Sequence, residues 1–550
     1  MKRSKKFLVF SFIIIAIMLV SLAACSKTTT TTTATTPSVT PTTTAAAPTT
    51  TAAKPSTTPT ATTTQSPTPT AAPTVTPQTG GTLRIIWSTA PASGFGFAPK
   101  IFGGEGAYAD EAMEPLMDGK FTGGGYVMRL ATGWTVAPDG LSITFALRGG
   151  VTFHDGTDFN ANAVKFNFDA MMAAGRMSSN FKSVEVIDLY HVKFNLGKWK
   201  NTAIGDIAGV VIASPAFVEK YGADYAAIHA CGTGPFKEVS YEPDVKITLE
   251  RFDNYWGQKA YLDTIVGTFI VDPVTQVMAM EAGQGDVTHS RVAKTMNDLK
   301  KAGFNVLQDY MGMVAANFDS ANPKSPWANL EVRQAFDYAV NKKALVDTLG
   351  YGFWQAADQM PLPGQNGYLT NITPRTYDPD KAKALLADAG YANGFNTHII
   401  HATGDFEDGC AAIQSDLKAV GINADIVTID WAKWGATRQQ GWDGIFVAGS
   451  GIISNYNSLL DLYFRPGSTE MFSILRPPGF QDLIETAVTA NPEDNAKTQA
   501  AARVIFDQDL WSVIEHHGDN YAYTSKVHGL DFGTYGQWGA FDAEQVWMSK

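Results

Sequence analysis

Histidine offers the first candidates for chemistry, since it alone titrates unperturbed near neutrality and is the commonest metal ligand. His516 and His517 are adjacent, His398 and His401 lie three apart, and His154 precedes Asp155. A metal site would need carboxylates at matching spacing and partners behind the ligands, and neither pair has them. Surface or hydrogen-bonded histidines are the plainer reading of both pairs, and His154-Asp155-Gly156 reads as a turn rather than an acid–base couple. The chain contains no H-E-x-x-H, no C-x-x-C pair, no phosphate-cradling G-x-x-x-x-G-K loop and no G-x-S-x-G elbow. Neither an enzyme nor a resident cofactor or metal is therefore expected.

One residue does have a reaction written around it. Lys2, Arg3, Lys5 and Lys6 give a basic start, Phe7 to Val20 an apolar run, and Leu22-Ala23-Ala24-Cys25 a small-residue box ending in cysteine. That order marks a signal peptide with a lipoprotein cleavage box. A transmembrane helix is the competing reading, but the run is shorter than a usual span. Residues 1–25 are thus the expected leader, and cleavage would leave Cys25 first and carrying lipid. The mature protein would then be secreted and anchored to the outer face of the plasma membrane by lipid alone. Cys231 and Cys410 would share that oxidising compartment and could pair, but their spacing does not decide it.

Residues 26–79 are nearly all Thr, Ala and Pro, with little apolar area to repay the entropy of ordering. They are expected to form a tether, which spans roughly 40 Å as a flexible coil and roughly 150 Å when drawn toward polyproline II. Its Thr and Pro would also suit O-linked glycans. The net charge of −11, with no basic run after Gly80, excludes a nucleic-acid partner.

The elements of the body are legible locally. Gly81 to Ser88 reads as a strand and Ala107 to Leu116 as a helix. Asp139-Gly140 separates two apolar runs as a turn, with Ile143, Phe145 and Leu147 alternating after it. Val151 to Phe153 continues the ribbon, and Asn160 or Asn162 caps the helix that follows. Val184 to Leu196 and Asp206 to Ala213 alternate as strands, and Ser214-Pro215 opens a helix. Asp272-Pro273 and Asp378-Pro379 each start a helix with proline where its missing N–H costs nothing. Val332, Ala335, Phe336, Ala339 and Val340 share one helix face, and Gly350 and Gly390 stop helices. A helix from about Gly409 to Val420 ends at Gly421 and feeds a strand, Ile422 to Ile429. This βα alternation implies an α/β fold.

Several segments resemble the family 5 extracellular solute-binding proteins, the oligopeptide-, dipeptide- and nickel-binding cluster of ABC importers. Arg148, Gly150, Val151, Phe153, His154, Asp155 and Gly156 supply its R-x-G-V-x-F-H-D-G run. Gly232-Thr233-Gly234-Pro235-Phe236 is followed by Leu249, Arg251, Tyr255, Trp256 and Gly257, as in the family's G-T-G-P segment and its L-x-R-x-x-x-Y-W-G. Val332 to Val340 is similar to its R-x-A-x-x-Y-A helix, Glu114-Pro115-Leu116 to its Y-E-x-L, and Trp511 to Phe532 to its closing segment. The resemblance implies a two-lobed clamshell of periplasmic-binding-protein type II with an extra subdomain. Lobe one would comprise 80–112, 231–308 and 517–550, the extra subdomain 113–230, and lobe two 309–516. It implies a monomer that captures a peptide or similar small solute and delivers it to a permease and its ATPase. An oligosaccharide is the alternative solute, and an adhesin or sensor without transport is the alternative of another class.

By the same likeness the cleft wall of lobe two is Trp442 to Phe464. Peptide-binding members carry an aromatic and an aspartate there for the peptide's amino end, and Gly449 and Ile452 stand at those places. Dipeptide binders hold the carboxyl end with an arginine, and His401 to Gly409 has none. A zwitterion buried without charge partners costs several kcal/mol per ion, which argues for a more neutral solute. Trp87, Trp354, Trp431 and Trp434, with Ser450, Ser454, Asn455 and Asn457, would suit ring stacking and hydroxyl contacts.

Overall fold

Two sheets carry the body, and the chain passes between them twice. The computed structural model describes residues 76–91, 93–101, 108–119, 125–404, 406–451, 455–531 and 541–550. The leader, Cys25, nearly all of the tether, Ile452 and Ser454 lie outside the described residues.

The first sheet has seven strands in the order Asn305–Leu307, Asn520–Tyr523, Val287–Ser290, Thr82–Trp87, Thr264–Phe269, Lys246–Arg251 and Phe236–Glu242. Its centre is parallel, Thr82–Trp87 running with both Thr264–Phe269 and Val287–Ser290. The second sheet has six, Trp354–Ala356, Trp511–His517, Gly312–Phe318, Ile445–Gly451, Phe395–Ala402 and Ile422–Ile429. Gly312–Phe318 is buried along its whole length, and the pleat splits it between two cores. Met313 and Ala315 face the helices 456–464, 480–488 and 495–507, whereas Val314, Ala316 and Phe318 pack on Val332, Phe336, Ile413 and Leu417. A four-stranded antiparallel sheet, Ala131–Val136, Ser142–Leu147, His191–Leu196 and Phe181–Asp188, closes a third core with the helix Ala161–Ala173.

Local capping fixes most helix starts. Asn160 accepts from the amides of Asn162 and Ala163, Asp272 from Thr275, and Asp378 from Lys381. Three expectations fail: Val151 to Phe153 is no strand of the ribbon, since Thr152 makes only an isolated bridge to Asp158 across the turn, and two others fail for tertiary reasons. Asp206–Ala213 is not a strand: 202–207 is helical, and the N–H and C=O of Ala213 are both taken by the side chain of Asn167. The described part of 107–116 is not a helix, because the carbonyls of Glu111 and Ala112 accept from the amides of Phe236 and Gly234 instead. That contact also explains the glycines of G-T-G-P. A Cβ on Gly234 would stand 2.5 Å from the Glu111 carbonyl oxygen, and one on Gly232 2.3 Å from that of Ala112. Close approach, not a special dihedral, is what they supply.

Cys231 and Cys410 are not joined. Cys410 packs with Ile413 and Leu417 under the six-stranded sheet, while the Cys231 carbonyl accepts from the Ser214 amide beside Asp155. Burial and the Asp155 carboxylate push the Cys231 thiol up to about 12, so the reactive thiolate is scarce. Iodoacetamide at mild alkaline pH is expected to leave Cys231 unmodified in the native protein and to alkylate it once denaturant is added, as intact mass and peptide mapping would show.

Candidate functional site

Strand register shows where a site has to be. Ser290 ends its strand opposite Asn520, and Gly312 begins its strand opposite both Gly451 and His517. The two crossings, Leu307 to Gly312 and His517 to Asn520, therefore leave from the carboxyl ends of the parallel strands in both sheets. Trp87 and Ser290 on one side, and Ala402, Ile429 and Gly451 on the other, all end at this level. In open α/β sheets ligands bind in the crevice outside such ends.

The crossings are clasped by charge. The Asp519 N–H donates to Asp309 Oδ1 at 3.0 Å, and Gly518 lies so close to Asp309 that a Cβ would meet its carbonyl oxygen at 2.2 Å. Arg291, just past its strand, holds Asp519 through both carboxylate oxygens at 2.7 and 3.0 Å. Burial, with Asp519 beside it, pushes Asp309 up to about 8. His517 Nδ1 donates to a Glu515 carboxylate oxygen at 2.9 Å; burial opposes its charge, but the Glu515 carboxylate outweighs it and raises the imidazole. Burial lowers His289, and pushes His516 down to about 4 with His517 adding to the effect. Sequence reasoning singled out the histidine pair but missed Arg291, Asp309 and Asp519, whose partners are some two hundred residues distant and leave no local pattern.

The other histidines separate. His398 and His401 sit on opposite faces of one strand, as an odd spacing requires, with His398 exposed and His401 buried against Thr428 at 3.0 Å. His154 bonds the Gly234 carbonyl at 3.0 Å and burial pushes it down to about 4, while Asp155 turns to Ser214 at 2.6 Å. Among the described residues no three His, Cys, Asp or Glu side chains converge as a metal site.

The tryptophans divide into core and rim. Trp87 ends the first strand but is 2% exposed, edge-on to Tyr108 at 5.3 Å and His289 at 5.2 Å between ring centroids. Trp354 is half-buried with its ring 5.7 Å from Phe406. Trp431 and Trp434 open the helix Trp431–Gln440 directly after the strand Ile422–Ile429, with Asp430 as its cap. Their rings are 5.5 Å apart; Trp434 leans on Phe446, whereas Trp431 is 56% exposed at the crossing end of the second sheet. Ser450 lies in register with Met313 near the end of its strand. Asn455 caps the next helix by accepting from the Asn457 amide at 2.9 Å. Asn457 is fully buried and its side chain is bonded to Thr498 and Glu493, so it is occupied within the protein. The structure thus groups Trp431 with Trp434 and sets Trp87 and Asn457 into packed interior.

The family described as "Bacterial extracellular solute-binding proteins, family 5 Middle" matches residues 125–470, more than half of the chain. The chain belongs to the family 5 extracellular solute-binding proteins. It is similar to heme-binding protein A of Haemophilus influenzae, 29% identical over 436 residues that cover 70% of this chain and 78% of that one. It is also similar to the glutathione-binding protein GsiB of Salmonella typhimurium, 31% identical over 319 residues, 55% of this chain and 60% of that one. The solved periplasmic binding protein DppA of Helicobacter pylori, in complex with the peptide STSA, superposes with a TM-score of 0.71 at 25% identity, covering 86% of this chain and 99% of that one. NikA of Brucella suis with Fe(III)-EDTA has a TM-score of 0.76 at 21% identity, over 85% of this chain and all of that one, and shares the fold. The architecture of this family 5 protein is accordingly the two-lobed α/β fold of periplasmic binding proteins of type II.

Proposed function

We propose that this family 5 protein is the lipid-tethered capture component of an ABC importer, taking a small solute between its lobes and passing it unchanged to a membrane permease. The observation that carries the reading is the register of the crossings, which puts the carboxyl ends of the parallel strands of both sheets at the level of two short connecting segments, Leu307 to Gly312 and His517 to Asn520. Two short strands are the kind of hinge about which such lobes close, and a ligand that touches both lobes favours the closed form by its differential affinity. Residues 80–112, 231–308 and 517–550 would make one lobe, 113–230 a subdomain carried by it, and 309–516 the other. Cys25 would hold the lipid, and 26–79 the reach from the membrane.

The solute is a peptide or similar small molecule. Relatives named for heme and glutathione, and a related structure holding a peptide, support a cleft that different members furnish differently. An oligosaccharide is favoured by one feature, the exposed Trp431 ring at the rim with Trp434 behind it, a platform suited to a sugar face. A thermal-shift screen of the mature protein against neutral oligosaccharides and charged peptides separates these. A solute at a hundred times its Kd is expected to stabilise the fold by about 2.7 kcal/mol. Trp431→Ala should abolish the shift for an oligosaccharide. Hits confined to charged peptides would overturn the neutral-ligand reading, and no hit in any solute class would count against capture.

A further inference from the structure

The block built on the four-stranded sheet is fastened to the first lobe. Glu114 accepts from Thr233 Oγ1 at 2.8 Å, Tyr255 Oη at 2.9 Å and Trp256 Nε1 at 2.7 Å, and Arg129 pairs with Asp542 at 2.9 Å. The His154 amide donates to the Gly232 carbonyl at 2.9 Å. When the crossings flex, this block moves with the first lobe. The segment Lys198 to Asn201 nevertheless reaches across to the second, as does Tyr126, which bonds the Asn455 side chain. Lys200 Nζ sits 2.6 and 2.7 Å from the two carboxylate oxygens of Asp461, and both side chains are about nine-tenths buried. The Asn201 amide donates to the Val488 carbonyl at 2.7 Å and its side chain to Ala487 at 2.8 Å. Lys198 meets Glu485 at 2.5 Å, and Trp199 Nε1 reaches the Ala490 carbonyl at 3.3 Å. Two other ionisable groups face the pair: Arg465, 3.8 Å from Asp461, and Asp206, which burial and Asp461 push up to about 6.

We infer that Lys200 and Asp461 form a closure latch, a positioning pair whose matched charges allow the cleft to stay shut, without touching the solute. The inference rests on the crossings being a hinge. In the shut form both charges are out of water, and their mutual attraction roughly offsets the cost of desolvation; in the open form each is solvated alone. The pair as a whole is thus close to balance. Removing one member is different, because in the shut form the survivor would be buried without its close partner, facing only the more distant Arg465 or the Asp206 carboxyl, and the equilibrium tips toward opening.

Hydrogen exchange on the full mature protein, with no solute added, reads this directly through the Asn201 amide. Lys200→Met and Asp461→Leu are each expected to speed exchange at Asn201 by at least about tenfold relative to the native chain, a change near 1.4 kcal/mol. Amides of Thr82–Trp87 and Gly312–Phe318 should stay as protected as before. The double variant Lys200→Met/Asp461→Leu, which removes both members of the pair, should return toward native protection. Unchanged exchange at Asn201 in the single variants would overturn the latch. So would acceleration that appears equally in the two core strands, or a double variant faster than either single. Because no solute is present, these outcomes are independent of any solute screen.

Discussion

From about pH 6.5 to about pH 8.5 the protein is expected to lose thermal stability steadily, the reverse of the usual acid-side loss. Glu111, 4% exposed with one carboxylate oxygen lacking a hydrogen bond, is pushed up to about 8 by burial and by neighbouring Asp110. Glu114 is pushed up to about 7, again by burial, which its three hydrogen bonds only partly offset. Both line a cavity of about 60 Å³ together with Asp118, Glu544 and a single cation, Arg129. Folded, these carboxyls keep protons that the unfolded chain releases near its ordinary value of 4.5. Their stabilisation is complete below that value and is lost as the pH rises through 7 and 8. A tenfold difference in proton affinity is worth about 1.36 kcal/mol, so a group with a folded value near 8 contributes about 2 kcal/mol across this window. Asp309 and His517, both raised, act in the same direction. Below about pH 6.5 the histidines oppose them. His154 and His516, pushed down to about 4, must stay neutral in the fold while the unfolded chain protonates, so the curve climbs less steeply toward acid than the carboxyls alone would make it. Melting temperatures measured across the range should fall from about pH 6.5 to about pH 8.5, and Glu111→Gln should flatten this alkaline limb. A limb that is flat or rising in the native protein would contradict the burial of these acids.

What could be read from the residues in order was whatever local chemistry decides. The caps Asn160, Asp272 and Asp378, the stops at Gly390 and Gly421, and the strand Ile422–Ile429 each follow from neighbours within a few positions. The family likeness was legible because its runs are long and in register. Asp206–Ala213 alternates convincingly, yet Asn167, far back in the chain, takes the backbone groups a ladder would need. The site was legible only as a region. A tryptophan at a strand's end looks the same in sequence whether it faces solvent, as Trp431 does, or closes a core, as Trp87 does. The clasp of Arg291, Asp309 and Asp519 exists only once two crossings lie side by side, and charged residues in loops give no such notice.

The largest single-residue loss is expected at Asp337, deep against the six-stranded sheet. It lies on the helix Leu330–Ala339, 4% exposed, where it accepts from Ser512 and meets Lys342 Nζ at 2.9 Å and Arg375 Nη1 at 3.3 Å. Burial works against its charge, but the two cations outweigh burial and hold the carboxyl below its ordinary value. Asp337→Ala strands both cations where little water reaches them, and breaking a buried pair from one side costs about 3–5 kcal/mol. Two neighbours limit the loss, and the first is Asp358, 3.7 Å from Lys342 Nζ. The second, Asp509, 3.9 Å from Arg375, is kept well above its ordinary value by burial and by the charge on Asp337. With Asp337 gone that repulsion goes too, and Asp509 is free to ionise and take over part of the pairing. Denaturant unfolding should therefore place Asp337→Ala near the lower end of that range. Adding Asp509→Ala should cost more than its own single effect, since it removes the substitute anion. Additive losses, or a single loss under about 1 kcal/mol, would mean that the two cations find other partners and that this cluster does not hold the helix Leu330–Ala339 to the six-stranded sheet.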